Sequence, residues 1–232
     1  ETYSPSLKRD LEGKNYFDYG DLELPFGNVA KSLDIIGEAA EEIILDGKKP
    51  IFIGGEHLIS LPIIRKIHAY HGEELVILHF DAHTDLRGDY YKESNSHATV
   101  MKHVAGFIKP KNIYQFGIRS GLREEFLWAE KNTNLFIDEV YQPLISVIEN
   151  IKNKPLYITL DIDVLDPAFA PGTGTPEAGG ITARELLRSI HILKDCNVVG
   201  MDLVEVLPMC DAGDITSAVA AKIIRECLLS FF

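Results

Sequence analysis

Three side chains with metal-binding chemistry, Asp81, His83 and Asp85, stand at alternate positions directly after an apolar run from Leu75 to Phe80. On an extended backbone, side chains at alternate positions point to the same face, so this spacing brings all three together. Carboxylates and imidazoles are good ligands for a divalent cation, and a buried group of them needs a partner charge. Taken alone, the pattern also fits a helix cap, a salt-bridged turn or a hydrogen-bonded loop.

Two further segments supply the same chemistry. The run G-G-E-H ends at His57, and the run L-D-I-D-V-L-D-P contributes Asp161 and Asp163. The combined set holds two imidazoles and four carboxylates, which is too many for one tetrahedral zinc and suits two six-coordinate ions that share carboxylates. Oxygen-rich ligation favours manganese over zinc. The residues therefore predict a dinuclear centre, and four carboxylates balance the charge of its two divalent cations.

Short apolar runs separated by helical patterns are expected to position these ligands. The runs are rich in β-branched and aromatic residues and do not alternate, which is typical of parallel strands covered on both faces. They are Pro50 to Ile53, Leu75 to Phe80, Asn112 to Phe116, Asn134 to Ile137, Leu156 to Leu160 and Val198 to Leu203. A helix is predicted from Val29 to Leu45, with Asn28 as its N-cap and Gly47 as its stop, and another opens with a capping box at Thr182 and Glu185.

This alternation predicts an α/β fold with one doubly wound parallel sheet, because parallel neighbours need crossover connections. We expect one domain, since no internal repeat or low-complexity tract divides the chain. In such folds ligands bind beyond the carboxyl ends of the strands. Every candidate metal ligand follows a predicted strand, so the fold and the site agree.

Composition restricts the function classes. The formal net charge of −12 argues against a nucleic-acid binder, which needs a basic surface. No apolar stretch approaches the roughly 18 to 20 residues of a membrane-spanning helix, so no membrane partner is expected. The three cysteines form no C-x-x-C pair, and the first residues lack the pattern of a signal peptide. A cytoplasmic location is the resulting expectation.

Five blocks occur in order: G-G-E-H, F-D-A-H-T-D, L-D-I-D-V-L-D-P, P-G-T-G-T-P-E-A-G-G and D-L-V-E-V. With them the chain resembles the ureohydrolases, the arginase and agmatinase family, and most of all its bacterial agmatinase branch. The resemblance extends from about Tyr3 to the C-terminus. It implies a three-layer α/β fold, a single ureohydrolase domain over residues 1–232, and a homo-oligomer, a trimer or a hexamer. The family's opening strand and its glycine- and proline-containing loop have no counterpart before Glu1, so a natural N-terminal segment is expected to be missing.

The resemblance also implies a role for each ligand. One manganese ion would be held by His57, Asp81, Asp85 and Asp161, and the second by Asp81, His83, Asp161 and Asp163. A hydroxide bridging the two ions would be the nucleophile. By the same resemblance, Glu205 orients the guanidinium of the substrate, Asp85 accepts and passes on a proton, and His97 exchanges protons with solvent.

The implied reaction is hydrolysis of agmatine to putrescine and urea, a step of polyamine synthesis. Between Asp85 and His97 the S-H-A-T ending resembles agmatinases, and Asp89 or Glu93 is a candidate partner for the substrate's ammonium, although Arg87 and Lys92 oppose it electrostatically. Arginase, guanidinobutyrase and formiminoglutamase remain alternatives. So do a deacetylase of related fold with a single zinc and a non-catalytic scaffold, although an intact ligand set argues against both.

Overall fold

The computed structural model describes residues 1–232 and contains eight strands in two sheets. A short antiparallel pair, β1 (Tyr3–Ser4) and β2 (Arg9–Asp10), lies near the N-terminus. The main sheet holds six parallel strands. They are β3 (Ile51–Ile53), β4 (Val76–Phe80), β5 (Ile113–Ile118), β6 (Asn134–Ile137), β7 (Leu156–Asp161) and β8 (Val198–Val204). Each apolar run interpreted as a strand forms one, which confirms the predicted parallel sheet.

Helices cover both faces of this sheet. They are α1 (Val29–Leu45), α2 (Ser60–His71), α3 (Val100–Val104), α4 (Arg123–Asn132), α5 (Tyr141–Ile151), α6 (Ala183–Ile192) and α7 (Ile215–Phe231). One core packs α1 to α4 against one face, and a second packs α5 to α7 against the other. Neighbouring residues of β4 divide between them, with Ile77 in the first core and Leu78 in the second. The three-layer architecture follows from this alternation.

The predicted helix ends are found where their capping residues stand. The side chain of Asn28 accepts the Lys31 N–H at 3.1 Å, which satisfies one of the free N–H groups at the start of α1. Gly47 follows the end of that helix with a φ of +70°, a conformation that glycine adopts without strain. At α6, the Thr182 hydroxyl oxygen accepts the Glu185 N–H at 3.1 Å.

The strand order β3-β8-β7-β4-β5-β6 determines where the candidate site residues lie. β7 and β4 are adjacent at the centre of the sheet, with β8 and β5 on either side. Because all six strands run in the same direction, their carboxyl ends meet at one edge. The segments that follow β3, β4, β7 and β8 carry His57, Asp81, Asp163 and Glu205, so residues far apart in sequence converge there.

None of the helices is both long enough and apolar enough to cross a lipid bilayer.

Candidate metal centre and active site

The six predicted ligands lie together at the carboxyl edge of the sheet. His57 opens a turn of 3-10 helix after β3, Asp81 follows β4, Asp161 ends β7, and Asp163 stands in the turn of 3-10 helix that continues it. All are buried except His83, which is partly exposed.

Three carboxylates converge on one imidazole nitrogen. His57 Nδ1 lies 3.2 Å from an Oδ2 atom of each of Asp81, Asp85 and Asp161. The same nitrogen is buried and has no hydrogen-bond partner. A buried polar atom without a partner is costly, and here it faces three carboxyl oxygens. This is the donor set that a divalent cation binds.

A second group adjoins the first and shares Asp81 with it. His83 Nδ1 lies 2.9 Å from Asp163 Oδ2 and 3.5 Å from Asp81 Oδ1. Asp81 thus directs one carboxylate oxygen toward His57 and the other toward His83. A carboxylate between two groups of ligands is the arrangement expected when two cations share a bridging residue.

The electrostatics of the cluster agree with a cation site. Burial, together with the charges of Asp163 and Asp81, raises the pKa of Asp161 well above its usual range, because ionising several neighbouring carboxyls away from water is unfavourable. Burial acts to lower the pKa of His83, but hydrogen bonds to Asp163 and Asp81 outweigh it and raise that pKa to about 11. Divalent cations replace such protons and neutralise the carboxylates, so the residues present fit a metal pair.

A hydrogen-bonded chain behind His57 fixes which nitrogen faces the cluster. The Thr159 hydroxyl donates to Asp202 Oδ1 at 2.8 Å, so its oxygen accepts from His57 Nε2–H, also at 2.8 Å. Tyr157 donates to the other oxygen of Asp202 at 2.7 Å. Burial and the nearby Asp202 raise the pKa of Tyr157, so its hydroxyl retains the proton it donates. The lone pair of Nδ1 is therefore left for a metal.

A similar arrangement lies behind Asp81. The Gln115 amide donates to His79 Nδ1 at 3.2 Å, which leaves His79 Nε2–H to donate to Asp81 Oδ2 at 2.8 Å. Sequence reasoning did not single out His79, Thr159 or Asp202. The sequence feature that could have identified them is a polar residue inside an otherwise apolar, buried strand. In addition, His79 stands on the same face of its strand as Asp81.

Two of the three predicted catalytic residues have left-handed backbone conformations. Asp85 has a φ of +53° and Glu205 a φ of +65°, values that residues other than glycine rarely adopt. The carboxylate of Glu205 accepts the backbone N–H of His57 at 2.8 Å, and burial raises its pKa. The backbone thus sets the direction of both carboxylates.

His97, the third, lies at the rim of the site. Its Nδ1 is 3.5 Å from a carboxylate oxygen of Glu56, and its ring meets that of Tyr90 edge to face with centroids 5.1 Å apart. The hydrogen bond to Glu56 raises the pKa of His97. A partly exposed imidazole with a neighbouring carboxylate is suited to exchanging protons near neutral pH.

A cavity of about 150 Å³ opens beside the cluster. Its lining includes His83, Asp85, His97, Arg87, Tyr90, Thr175 and Glu125. Neither Asp89 nor Glu93, the predicted partners of a substrate ammonium, lines this cavity, and both are exposed. Besides the predicted ligand Asp85, the cavity is lined by one further acid, Glu125, which comes from a helix some distance along the chain and was not predicted.

Arg119 holds the turn that carries Asp163 and the loop that follows it. Its guanidinium donates to the carbonyl oxygens of Gly117 at 3.0 Å, Asp163 at 2.7 Å and Glu177 at 2.8 Å. These contacts tie the guanidinium of Arg119 to the backbone of its own chain. The loop from 165 to 180, which is rich in glycine and proline, contains no helix and no strand of the sheet.

Comparisons with known proteins agree with this geometry. Residues 1–230 match the sequence profile of the arginase family. The chain is 52% identical over 234 residues to the agmatinase of Bacillus subtilis (strain 168), covering 100% of this chain and 80% of that protein. It is 32% identical to the crystal structure of the agmatine ureohydrolase of Thermoplasma volcanium, with a TM-score of 0.87 over 99% of this chain and 78% of that one.

A formimidoylglutamase from Bacillus subtilis subsp. subtilis str. 168 has the same fold, with 27% identity and a TM-score of 0.87 over 98% of this chain and 75% of that one. The fold thus extends across relatives with different substrates. The profile match, the level of identity and the buried histidine and aspartate cluster together show that the chain is a ureohydrolase and belongs to the arginase family.

Proposed function

We propose that the chain is a manganese-dependent agmatinase, which hydrolyses the guanidinium group of agmatine to give putrescine and urea. The observation that carries the proposal is the convergence of three carboxylate oxygens, each 3.2 Å away, on the buried Nδ1 of His57. It creates a site for a divalent cation. The 52% identity to an agmatinase supports the choice of substrate.

The six ligands divide between two manganese ions in this proposal. His57, Asp81, Asp85 and Asp161 would hold one ion, and Asp81, His83, Asp161 and Asp163 the other. When bound, such a metal pair supplies an acidified water near neutral pH. The chain itself keeps His57 in the ligating tautomer through Thr159, and it buries the carboxylates from solvent.

The remaining residues act on the substrate and its protons. Glu205 would orient the guanidinium through charge-assisted hydrogen bonds, and its own position is fixed by the His57 N–H. Asp85 would take up the proton of the attacking water at its carboxylate and pass it to the departing amine. His97, at the rim beside Glu56, would return protons to solvent.

A second candidate substrate follows from Arg87. Its guanidinium lines the cavity beside the ligands and would attract a carboxylate at the end of a guanidino compound, as in 4-guanidinobutanoate. Arginine carries such a carboxylate as well. We favour agmatine because the relative at 52% identity is an agmatinase.

We also propose a cytoplasmic location and a homo-oligomer, a trimer or a hexamer. The resemblance supports the oligomer, and the three free cysteines are consistent with a reducing compartment. Light scattering of the purified protein checks the mass of the assembly.

The function is tested by measuring urea release from agmatine, arginine and 4-guanidinobutanoate with manganese bound. We expect agmatine to have the highest kcat/KM. Asp163→Asn should keep the fold, seen by circular dichroism, and lose turnover on the order of 100-fold or more, since even residues behind metal ligands contribute 10- to 100-fold. Equal turnover of arginine, or none of agmatine with metal bound, would refute the specificity.

A further inference from the structure

One buried carboxylate outside the metal cluster has an oxygen that makes no hydrogen bond. Glu125, in the first turn of α4, is 4% exposed. Its Oε2 accepts a hydrogen bond from the Thr84 hydroxyl, whereas its buried Oε1 makes no hydrogen bond. Buried carboxylate oxygens are normally hydrogen-bonded, because desolvation without a partner is costly. This oxygen is therefore free to accept a hydrogen bond from a ligand.

The fold brings Glu125 beside the site by a specific route. β4 and β5 are neighbours, and beyond their ends the Thr84 N–H donates to the Ser120 carbonyl at 3.1 Å. The chain then passes through Gly121 into α4. A Cβ at Gly121 would lie 2.7 Å from the Thr84 hydroxyl oxygen and 2.9 Å from Glu125 Oε2, so only glycine leaves room for that pair.

Glu125 lines the same cavity as His83, Asp85 and His97. The cavity of about 150 Å³ thus has metal-ligating residues on one part of its wall and a carboxylate with an open oxygen on another. We propose that Glu125 binds the terminal ammonium of the guanidino substrate and so determines the preference for a cationic tail. This inference rests on the proposed function, since it assumes that the guanidinium lies at the metal cluster.

Arg87 lies beside the same carboxylate but makes no hydrogen bond with it. Its Nε lies 3.4 Å from Glu125 Oε1 and makes no hydrogen bond with it, and its guanidinium carbon lies 5.2 Å from the centre of the Tyr90 ring. A carboxylate has about four acceptor positions, so Glu125 can hold an ammonium while Arg87 stays nearby. Glu125 also neutralises Arg87, which would otherwise attract an anionic tail.

The test compares agmatine with butylguanidine, which has the same chain but no ammonium. For the manganese-loaded wild type we expect kcat/KM to be about 30-fold or more higher for agmatine, the lower end of what a buried charge pair contributes. Glu125→Gln should remove most of this ratio by raising KM for agmatine, while butylguanidine turnover stays near the wild-type value. Glu124→Gln, at the exposed neighbouring position on α4, is the matched control and should leave the ratio unchanged.

Equal losses for both substrates in Glu125→Gln would show a structural role and overturn the inference, and so would an unchanged ratio. If Glu125→Gln does not fold, Glu125→Asp serves instead, and the preferred substrate should then shift toward 5-aminopentylguanidine, whose chain is one methylene longer. An unshifted preference in that variant would also overturn the inference.

If the wild type hydrolyses neither compound, the proposed function fails on its own. Calorimetric binding of agmatine and butylguanidine to the manganese-loaded protein then still tests Glu125. A tighter affinity for agmatine that disappears in Glu125→Gln supports the ammonium site, and equal affinities overturn it.

Discussion

The hydrogen-bonded chain behind His57 gives a quantitative prediction for Thr159→Val. Valine has nearly the shape of threonine but removes the hydroxyl that joins His57 Nε2 to Asp202, with both distances at 2.8 Å. The imidazole then loses the acceptor that fixes its tautomer. Removing a partner of this kind typically lowers metal affinity 10- to 100-fold, which corresponds to about 1.4 to 2.7 kcal/mol.

The same substitution should also destabilise the protein. It leaves Asp202, a buried carboxylate, with one hydrogen bond fewer, and such a loss typically costs about 1 to 3 kcal/mol in the free energy of unfolding. Thr159→Ser keeps the hydroxyl and loses only a methyl group, so its manganese affinity should stay close to that of the wild type.

Calorimetric titration of the metal-free protein with manganese measures this directly, and denaturant unfolding in the presence of a chelator separates the effect on stability. Manganese affinity in Thr159→Val equal to that in Thr159→Ser would refute the proposed tautomer control, whether or not both variants bind more weakly than the wild type. The hydroxyl would then not be the cause of any loss.

Three further outcomes are expected. Glu56→Gln removes the hydrogen bond that raises the pKa of His97, so that pKa should fall. If protonated His97 donates protons during turnover, the alkaline limb of the pH profile of kcat moves to lower pH. An unmoved limb contradicts this role. Asp211 accepts the N–H groups of Thr216 and Ser217 at the start of α7, and although partial burial acts to raise its pKa, these bonds lower it from 3.8 to about 2. Its ionised form therefore stabilises the fold above pH 4, and that contribution is lost as the pH falls toward 2. Between pH 4 and pH 2, the free energy of unfolding of Asp211→Asn should fall by less than that of the wild type, both measured in chelator. Arg119→Met removes the hydrogen bonds of the guanidinium to backbone carbonyls, among them those of Gly117, Asp163 and Glu177, and should lower the free energy of unfolding by about 2 to 4 kcal/mol. New proteolytic cleavage should appear between residues 163 and 180, whereas an unchanged denaturation midpoint would show that Arg119 does not stabilise the loop.

Much of the fold could be predicted from the sequence because local and global preferences agree. The four inner strands of the main sheet are buried on both faces, so each appears as a largely apolar run. The ligand positions could be predicted for the same reason, since residues such as Asp81 and Asp161 come directly at the end of such a run. Strand order was not predicted, because it depends on crossovers that local periodicity does not describe.

The residues that were missed act over long distances in sequence. Thr159 and Asp202 stand on different strands, and the contact between them exists only because β7 and β8 are neighbours. Glu125 reaches the cavity through the pairing of the segments after β4 and β5. Asp89 and Glu93 looked suitable because they are close to Asp85 in sequence, but the turn that contains them points their side chains to solvent.

A single peptide unit at His57 links two parts of the site. The ring of this residue faces the carboxylate cluster, and its backbone N–H holds Glu205 at 2.8 Å. The spacing between the metal-binding group and the carboxylate proposed to orient the guanidinium is therefore set by the covalent dimensions of one amino acid. A change in the length of the G-G-E-H turn would alter both parts together, so we expect this turn to tolerate no insertion.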